Sequence, residues 1–346
     1  LVFSQTALAA DGLSPQVYEA LARVHELMEQ GRYAPAENRI GELLEQLAAK
    51  GYAKAVTLQT LAHLQAARGR YAQAAASLQQ SLELDVLPDQ VQQRARYDLA
   101  QLYLASEQPE RAVAVLDAWF ERAEQPSADA HFLLGAAYMQ LKQFRNAVAP
   151  LEQAIAAAGS ADESWYQMLL AAHYELGAYQ GCAGVLERMV RRFPDQAYWQ
   201  QLAGIYLALE QYRRALTTLE LVYRQGRLKR EQDLLQLAQL YLQRQIPFKA
   251  ARLLEHEMRQ GRINDNAENL ELLAGAWAEA RERAKATEAY RRAMSAGGDA
   301  AIGLYLADLY IQDERWQEAA TVLESTLQRG GLGQPGDAWL LLGVAR

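Results

Sequence analysis

Apolar residues recur along this chain every three or four positions, with no sustained alternation. That spacing lays an apolar stripe on one face of an α-helix and argues against strands. The stripes come in pairs. Leu99-Ala100 with Tyr103 is followed by Ala112 and Leu116, and Leu134-Gly135 with Tyr138 by Phe144, Ala147 and Leu151. Leu202-Ala203 with Tyr206 leads to Tyr212, Ala215 and Leu219; Leu237-Ala238 with Tyr241 leads to Ala250 and Leu254. Leu273-Ala274 with Trp277 precedes Ala286 and Tyr290, and Leu306-Ala307 with Tyr310 precedes Trp316 and Ala319. Three units are looser: one around Tyr166, Tyr179 and Cys182, one around Leu61-Ala62, Tyr71 and Ala74, and a first with only Gly31, Tyr33 and Ala36. Each unit predicts two helices joined by a short turn. The small residue of the second helix falls at 36, 74, 112, 147, 182, 215, 250, 286 and 319, in steps of 33 to 38 residues. That makes nine pairs, and Trp339, Leu342 and Gly343 open a tenth.

Small residues at these places let paired helices approach closely, while Leu and aromatic side chains fill the space around them. Pro109 and Pro247 fall at the predicted start of second helices, where the missing N–H is harmless. Cys182 stands in the same slot as the alanines and reads first as a buried small side chain, only secondarily as a reactive thiol. The period and the Trp-x2-Leu-Gly opening of the last unit are those of the tetratricopeptide (TPR) repeat, about 34 residues long. The expected fold is all-α, a right-handed α-solenoid of about nine to ten TPR helix-turn-helix repeats, with residues 11–346 as one solenoid. The closing GDAWLLLGVAR carries no polar cap, so the chain is expected to be cut within its last repeat. Steps of 38 residues predict longer turns near residues 50 and 88.

Composition narrows the function more than the fold. The net charge of -7 and a 22% share of charged residues argue against a nucleic-acid binder and against a disordered acidic tail. A single cysteine excludes an intrachain disulfide and cysteine-based zinc frameworks. The start, LVFSQTALAADG, reads as the tail of a signal peptide over residues 1–10 with an Ala-x-Ala cleavage site; an ordinary disordered N-terminus is the alternative. Export to the periplasm of a Gram-negative bacterium is the matching expectation. No other stretch approaches 18 apolar residues, so no transmembrane helix is expected in this segment. The five histidines form no His-Glu-x-x-His pair, and phosphate-loop and Gly-x-Ser-x-Gly patterns are missing. The expectation is a non-catalytic chain with no cofactor and no metal.

In TPR proteins the first helices line a concave face. The repeat register places Gln59, His63, Tyr97, Gln101, Phe132, Met139, Gln167, Tyr174, Gln200 and Gln239 there, together with Leu104, Leu207, Leu235, Glu271, Leu304 and Asp308. A neutral surface of amide, aromatic and aliphatic groups fits a protein or peptide segment held by apolar anchors and amide hydrogen bonds. Tyr97, Phe132 and Tyr174 fit packing between repeats equally well. The Lys and Asn pairs of the chaperone-tail clamp are missing from the corresponding positions. The densest basic stretch, YRQGRLKRE with Arg224, Arg227, Lys229 and Arg230, reads as a solvated turn first and as a patch for an acidic partner second.

The later linkers carry a more specific signal. FPDQAYWQQLAGIYLALEQYRRALTTLELVYRQGRLKRE, QIPFKAARLLEHEMRQGRI, NAENLELLAGAWAEARE and GGLGQPGDAW follow one another in order, after AHFLLGAAYMQLKQFRNAVAPLEQAI and ESWYQMLLAAHYEL. Together these resemble the periplasmic TPR proteins encoded beside TonB, ExbB and ExbD, over roughly residues 13 to 346. The resemblance implies a periplasmic accessory of TonB-ExbB-ExbD-dependent uptake, with components of that machinery as partners, and transfers no residue role. Arg346 departs from the Tyr or Leu usual there. The alternative is a periplasmic TPR adaptor for cell-envelope or exopolysaccharide assembly. The sequence leaves the oligomeric state open.

Overall fold

The computed structural model describes residues 12–346 apart from 48 and 50; the stretch read as a signal-peptide tail, 1–10, lies outside the described residues. Among the described residues there are nineteen α-helices and no strand, which is the nine pairs and one further first helix that the periodicity predicts. The chain divides into two compact units, Leu1–Val185 and Leu186–Arg346. The first holds α1 (Pro15–Glu29), α2 (Tyr33–Gln46), α3 (Tyr52–Ala67), α4 (Tyr71–Glu83), α5 (Asp89–Ala105), α6 (Pro109–Phe120), α7 (Ala128–Gln140), α8 (Phe144–Ala157), α9 (Glu163–Glu175) and the start of α10 (Tyr179–Arg192). The second holds the rest of α10, then α11 (Gln196–Ala208), α12 (Tyr212–Arg224), α13 (Glu231–Gln243), α14 (Pro247–Arg259), α15 (Ala267–Glu279), α16 (Arg283–Ser295), α17 (Ala300–Gln312), α18 (Trp316–Arg329) and α19 (Pro335–Ala345). Within each unit, helices pack chiefly on their neighbours in sequence, and some first helices also touch the next first helix, as α5 does α7 and α17 does α19. Each unit is a stretch of TPR-type α-solenoid.

The small slots explain the tight pairing. All nine, Ala36, Ala74, Ala112, Ala147, Cys182, Ala215, Ala250, Ala286 and Ala319, are 0% exposed. Burial pushes the Cys182 thiol up, which suits an inert packing side chain. Opposite them, Gly135 on α7 comes so close to Leu151 on α8 that an added Cβ would stand 2.6 Å from the leucine side chain. The looser α9–α10 pair reverses the arrangement. Its first helix carries the large Leu170, and the close approach comes from Gly181, whose missing Cβ would meet the His173 ring at 2.3 Å.

Helix ends follow two rules. Several first helices start on a side-chain cap: Ser14, Ser127, Asp195 and Asn266 each accept a hydrogen bond from a backbone N–H of the first turn. The second helices from α2 to α8 and from α12 to α18 have no such cap. They start on an aromatic, a proline or, in α16, Arg283, directly after a common turn. In that turn one residue takes the left-handed conformation: Gly31, Gly69, Glu107, Lys142, Gly177, Glu210, Gln245, Arg281 or Glu314, with φ between 56° and 73°. It stands five residues before the small slot in every pair. Two backbone hydrogen bonds close it, as where Gln245 N–H donates to Leu242 O and Ile246 N–H to Tyr241 O, both at 2.8 Å. This is the Schellman ending of a helix, and it satisfies carbonyls the helix would otherwise leave open.

The links between pairs differ by unit. In the second unit Gly226, Gly261 and Gly297 end α12, α14 and α16 in the same left-handed turn. In the first unit the corresponding ends are irregular: Leu47 and Ala158 turn extended, and Asp85 is left-handed at φ 52°. The links after α2 and α4, residues 47–51 and 84–88, are no longer than those elsewhere, so the longer turns expected near residues 50 and 88 are not found. The 38-residue steps come from longer first helices, α3 with 16 residues and α5 with 17 where α7 has 13. Pro150 sits inside α8, which continues through it to Ala157. The last helix, α19, packs through Ala338, Leu342 and Ala345 and leaves Trp339, Leu340 and Val344 exposed.

Candidate functional site

The first-helix faces of the first unit are largely occupied by their own contacts. Gln59 and His63 on α3 are half-buried. Burial, and then the neighbouring His25 and Arg94, pull His63 down to about 4. It is therefore neutral at ordinary pH. Tyr97 packs against Trp119, with ring centroids 5.9 Å apart, and the Arg94 guanidinium lies 5.7 Å from its ring centre. Trp119 anchors itself by donating its indole N–H to Gln93 O at 3.0 Å and meets Phe120 edge-on. Phe132 on α7 stacks on Trp165 of α9 at 4.7 Å and 11°. Phe132 thus joins neighbouring repeats, whereas Tyr97 packs within its own pair. Tyr174 is 61% exposed and touches only the edge of Tyr179 among the described ring contacts. Gln101 and Met139 are half-buried, and Gln167 is exposed, donating to Glu163 at 3.2 Å.

Beside Tyr97 lies a group that the sequence reading missed. Asp98 is buried, and burial raises its carboxyl to about 6; Arg94, 3.2 Å away, offsets only part of that cost. No pattern in the sequence marks it, because an acidic residue on a helix is normally solvated.

In the second unit the predicted residues divide differently. Gln200 on α11 donates to Asp233 at 2.8 Å, and Asp233 also takes two hydrogen bonds from Arg230, at 2.8 and 3.0 Å. Arg230 belongs to the basic turn, as does Arg224, which pairs with Glu220 at 2.7 Å. Lys249 joins the same glutamate at 3.0 Å. Burial alone would raise the Glu220 carboxyl, but the hydrogen bonds from Lys249 and Arg224 outweigh it and hold the group below its ordinary range. Carboxylates of adjacent helices therefore pair with Arg224 and Arg230 of this turn. Arg227 and Lys229 are exposed.

Gln239 is placed otherwise. It lines a cleft of ≈ 560 Å³ with Gln232, Leu235 and Gln236 of α13, Asn266, Glu268 and Asn269 of α15 and its cap, and Glu231. Gln232, Gln239, Asn266 and Glu268 are exposed, and Leu235 and Gln236 half-buried. The floor is fixed by Glu231, which accepts from Asn264 N–H at 2.8 Å and from the Asn269 amide at 3.0 Å. Of the eight lining residues only Leu235 and Gln239 were picked out by the repeat register. The signal for Gln232 and Gln236 was present: EQDLLQLAQL carries glutamines at i, i+4 and i+7, one helix face.

Among the described residues no cluster of three His, Cys, Asp or Glu side chains is placed to hold a metal, and no helix is long and apolar enough to cross a membrane. Antiparallel helix pairs stacked in series, with polar first-helix faces, define an α-solenoid repeat protein, a fold that serves as a protein–protein interaction scaffold. Tetratricopeptide repeat models match residues 65–131 and 128–160, from the end of α3 through α8. The same turn and small slot recur in the other pairs, so the fold is a TPR-type array. No curated protein matches it. Many solved structures do. One is a tetratricopeptide repeat protein from Parabacteroides merdae, 15% identical, with 86% of this chain and 100% of that one covered and a TM-score of 0.45. Another is MamA from Desulfovibrio magneticus, 17% identical, covering 53% and 98% of the two chains with a TM-score of 0.45. A third is YrrB, described as a TPR protein with an unusual peptide-binding site, 20% identical over 48% and 83% at a TM-score of 0.40.

Proposed function

We propose that the chain is a non-catalytic adaptor that holds segments of other proteins on its first-helix faces, in the periplasm, as an accessory of TonB-ExbB-ExbD-dependent uptake. The observation that carries the adaptor reading is the open cleft on α13 and α15, whose amides and carboxylates converge without any nucleophile or metal-ligand set around them. The periplasmic and TonB parts rest on the signal-like start and on the ordered linkers QIPFKAARLLE and QPGDAW.

In-cell crosslinking of the tagged full-length protein, followed by mass spectrometry, tests this reading. Enrichment of TonB, ExbB or ExbD above abundant periplasmic proteins is the expected result. Capture of glycan-export or peptidoglycan components instead overturns the TonB role in favour of envelope assembly. A reporter fused after Asp11 that stays in the cytoplasm overturns the location.

A further inference from the structure

The α13–α15 cleft has a chemistry that selects its occupant. Its eight lining residues supply five side-chain amides, two carboxylates and one leucine, and no cation. A side-chain amide offers one C=O acceptor and an NH2 donor, the same pair that a backbone peptide group presents. Gln232 and Gln236 lie one helical step of four residues apart, about 6 Å along α13. Two residues of an extended chain advance about 6.7 Å, and every second peptide group faces the same side. Gln239 continues the row to about 10 Å in all, the length of three extended residues. A helical ligand has its peptide groups satisfied internally and gives such a row nothing to bind.

The second element is charge. Glu231 is held by Asn264 and Asn269 in the floor. Glu268 is exposed on the opposite wall. A Lys or Arg side chain of the occupant would meet Glu268 with no competing cation in the lining. An acidic side chain would meet two carboxylates.

We propose that this cleft binds an extended segment of a partner protein, three to five residues in contact, through its backbone on the Gln232-Gln236-Gln239 row and through one basic side chain on Glu268. This rests on the adaptor reading and narrows it to a partner class. The test uses the full chain on a sensor surface at about 0.15 M salt, a Debye length of about 8 Å. The probes are two pools of blocked octapeptides, identical except for Lys or Glu fixed at the centre. The Lys pool is expected to bind about tenfold tighter than the Glu pool. Gln232→Ala with Gln239→Ala is expected to weaken it about tenfold or more, and Glu268→Gln to erase most of the preference. Glu279→Gln, an exposed carboxylate at the far end of α15, controls for the general attraction of an acidic protein and should leave the preference intact. Equal binding of the two pools overturns the proposal. So does failure of both to bind, or a preference that Glu279→Gln reduces as much as Glu268→Gln. Each of these leaves the TonB reading standing or falling on its crosslinks alone.

Discussion

The two units build the same repeat with their glycines in opposite places. In the first, the left-handed turn inside a pair is glycine three times in five, at Gly31, Gly69 and Gly177. In the second it is never glycine: Glu210, Gln245, Arg281 and Glu314 hold it. There the glycines end the second helices instead, at Gly226, Gly261 and Gly297. The joints between repeats differ correspondingly. The first unit joins them with rings, Phe120 against His131 and Phe132 on Trp165. The second uses rings as well, Phe248 on Trp277 and Tyr290 on Tyr305, and adds a buried carboxylate. Gly261 turns the chain so that Arg262 folds back on Glu257, which is 0% exposed and also accepts from Tyr223 at 2.8 Å. A left-handed turn at the end of a second helix thus brings a side chain back onto its own helix.

The most disruptive break in this comparison is on the aromatic side. Trp165→Ala is expected to cost about 3–5 kcal/mol, the range for truncating a buried aromatic. Because each repeat touches only its neighbours, hydrogen exchange should quicken in α7 to α9 and stay unchanged in α13 to α18. Equal loss of protection in both units would mean that the joints do not act locally. On the polar side, Glu257→Ala should cost about 3 kcal/mol, since it leaves the Tyr223 hydroxyl and the Arg262 guanidinium without their acceptor. Protection should fall in α12 to α14, and Glu257→Gln, which keeps an acceptor, should cost less.

The two buried carboxylates sharpen the contrast through pH. Burial pushes the Glu257 carboxyl up, but hydrogen bonds from Arg262 and Tyr223 overcome it and keep the group charged. Asp98 in the first unit is raised from 3.8 to about 6. It binds its proton more tightly folded than unfolded, so its burial costs stability as pH rises from about 4 to about 6, and in full above that. His63, lowered from 6.5 to about 4, has the opposite sign in nearly the same window: the stability present above 6.5 is lost as pH falls toward 4. Asp98→Asn should therefore gain about 2 kcal/mol at pH 7, roughly 3 from the shift less up to about 1 for the lost pair with Arg94. It should also lose stability on acidification, where His63→Gln gains it. Urea midpoints of the two variants at pH 4, 5, 6 and 7 read both slopes, and parallel slopes would remove Asp98 and His63 as the titrating pair.

The turns themselves offer a smaller test. Gln245→Gly should stabilise by about 1 kcal/mol and Gly69→Ala destabilise by about as much, because a side chain in the left-handed region is strained and a Cβ added at Gly69 would meet no neighbouring atom within 4 Å. Thermal midpoints of the two variants should move in opposite directions.

These turns also mark where the sequence could be read and where it could not. Small slots were legible because a tight helix crossing admits only Ala, Gly or Cys, and repetition made nine of them visible at once. The left-handed residues lay hidden although they keep the same period, because backbone geometry imposes them through two hydrogen bonds whatever the side chain, and Glu, Lys, Gln and Arg carry no turn signal. The α9–α10 pair reads as irregular because Leu170 stands after Leu169 where other first helices carry Ala or Gly, while the close approach sits on Gly181 in the other helix. In the candidate site, the register placed residues on a face without showing what they touch. Phe132 and Tyr174 read alike from sequence, yet one stacks on Trp165 and the other is exposed.

The finest test sets two glutamines of the predicted face against each other. Gln200 and Gln239 share a residue type, a unit and first-helix positions on the same predicted surface. Gln200 donates to the buried Asp233, so Gln200→Ala should cost about 1 kcal/mol, the net worth of a hydrogen bond to a largely buried acceptor. Gln239 is exposed in the cleft, and Gln239→Ala should change stability by less than about 0.5 kcal/mol. The pair separates structural amides from available ones within a single face. If both variants unfold at the wild-type urea midpoint, the Gln200–Asp233 contact adds no stability and Gln200 is as free to serve a ligand as Gln239. If Gln239→Ala is the more destabilising, the amide row on α13 holds the fold together, and the case for an open recognition ladder fails with it.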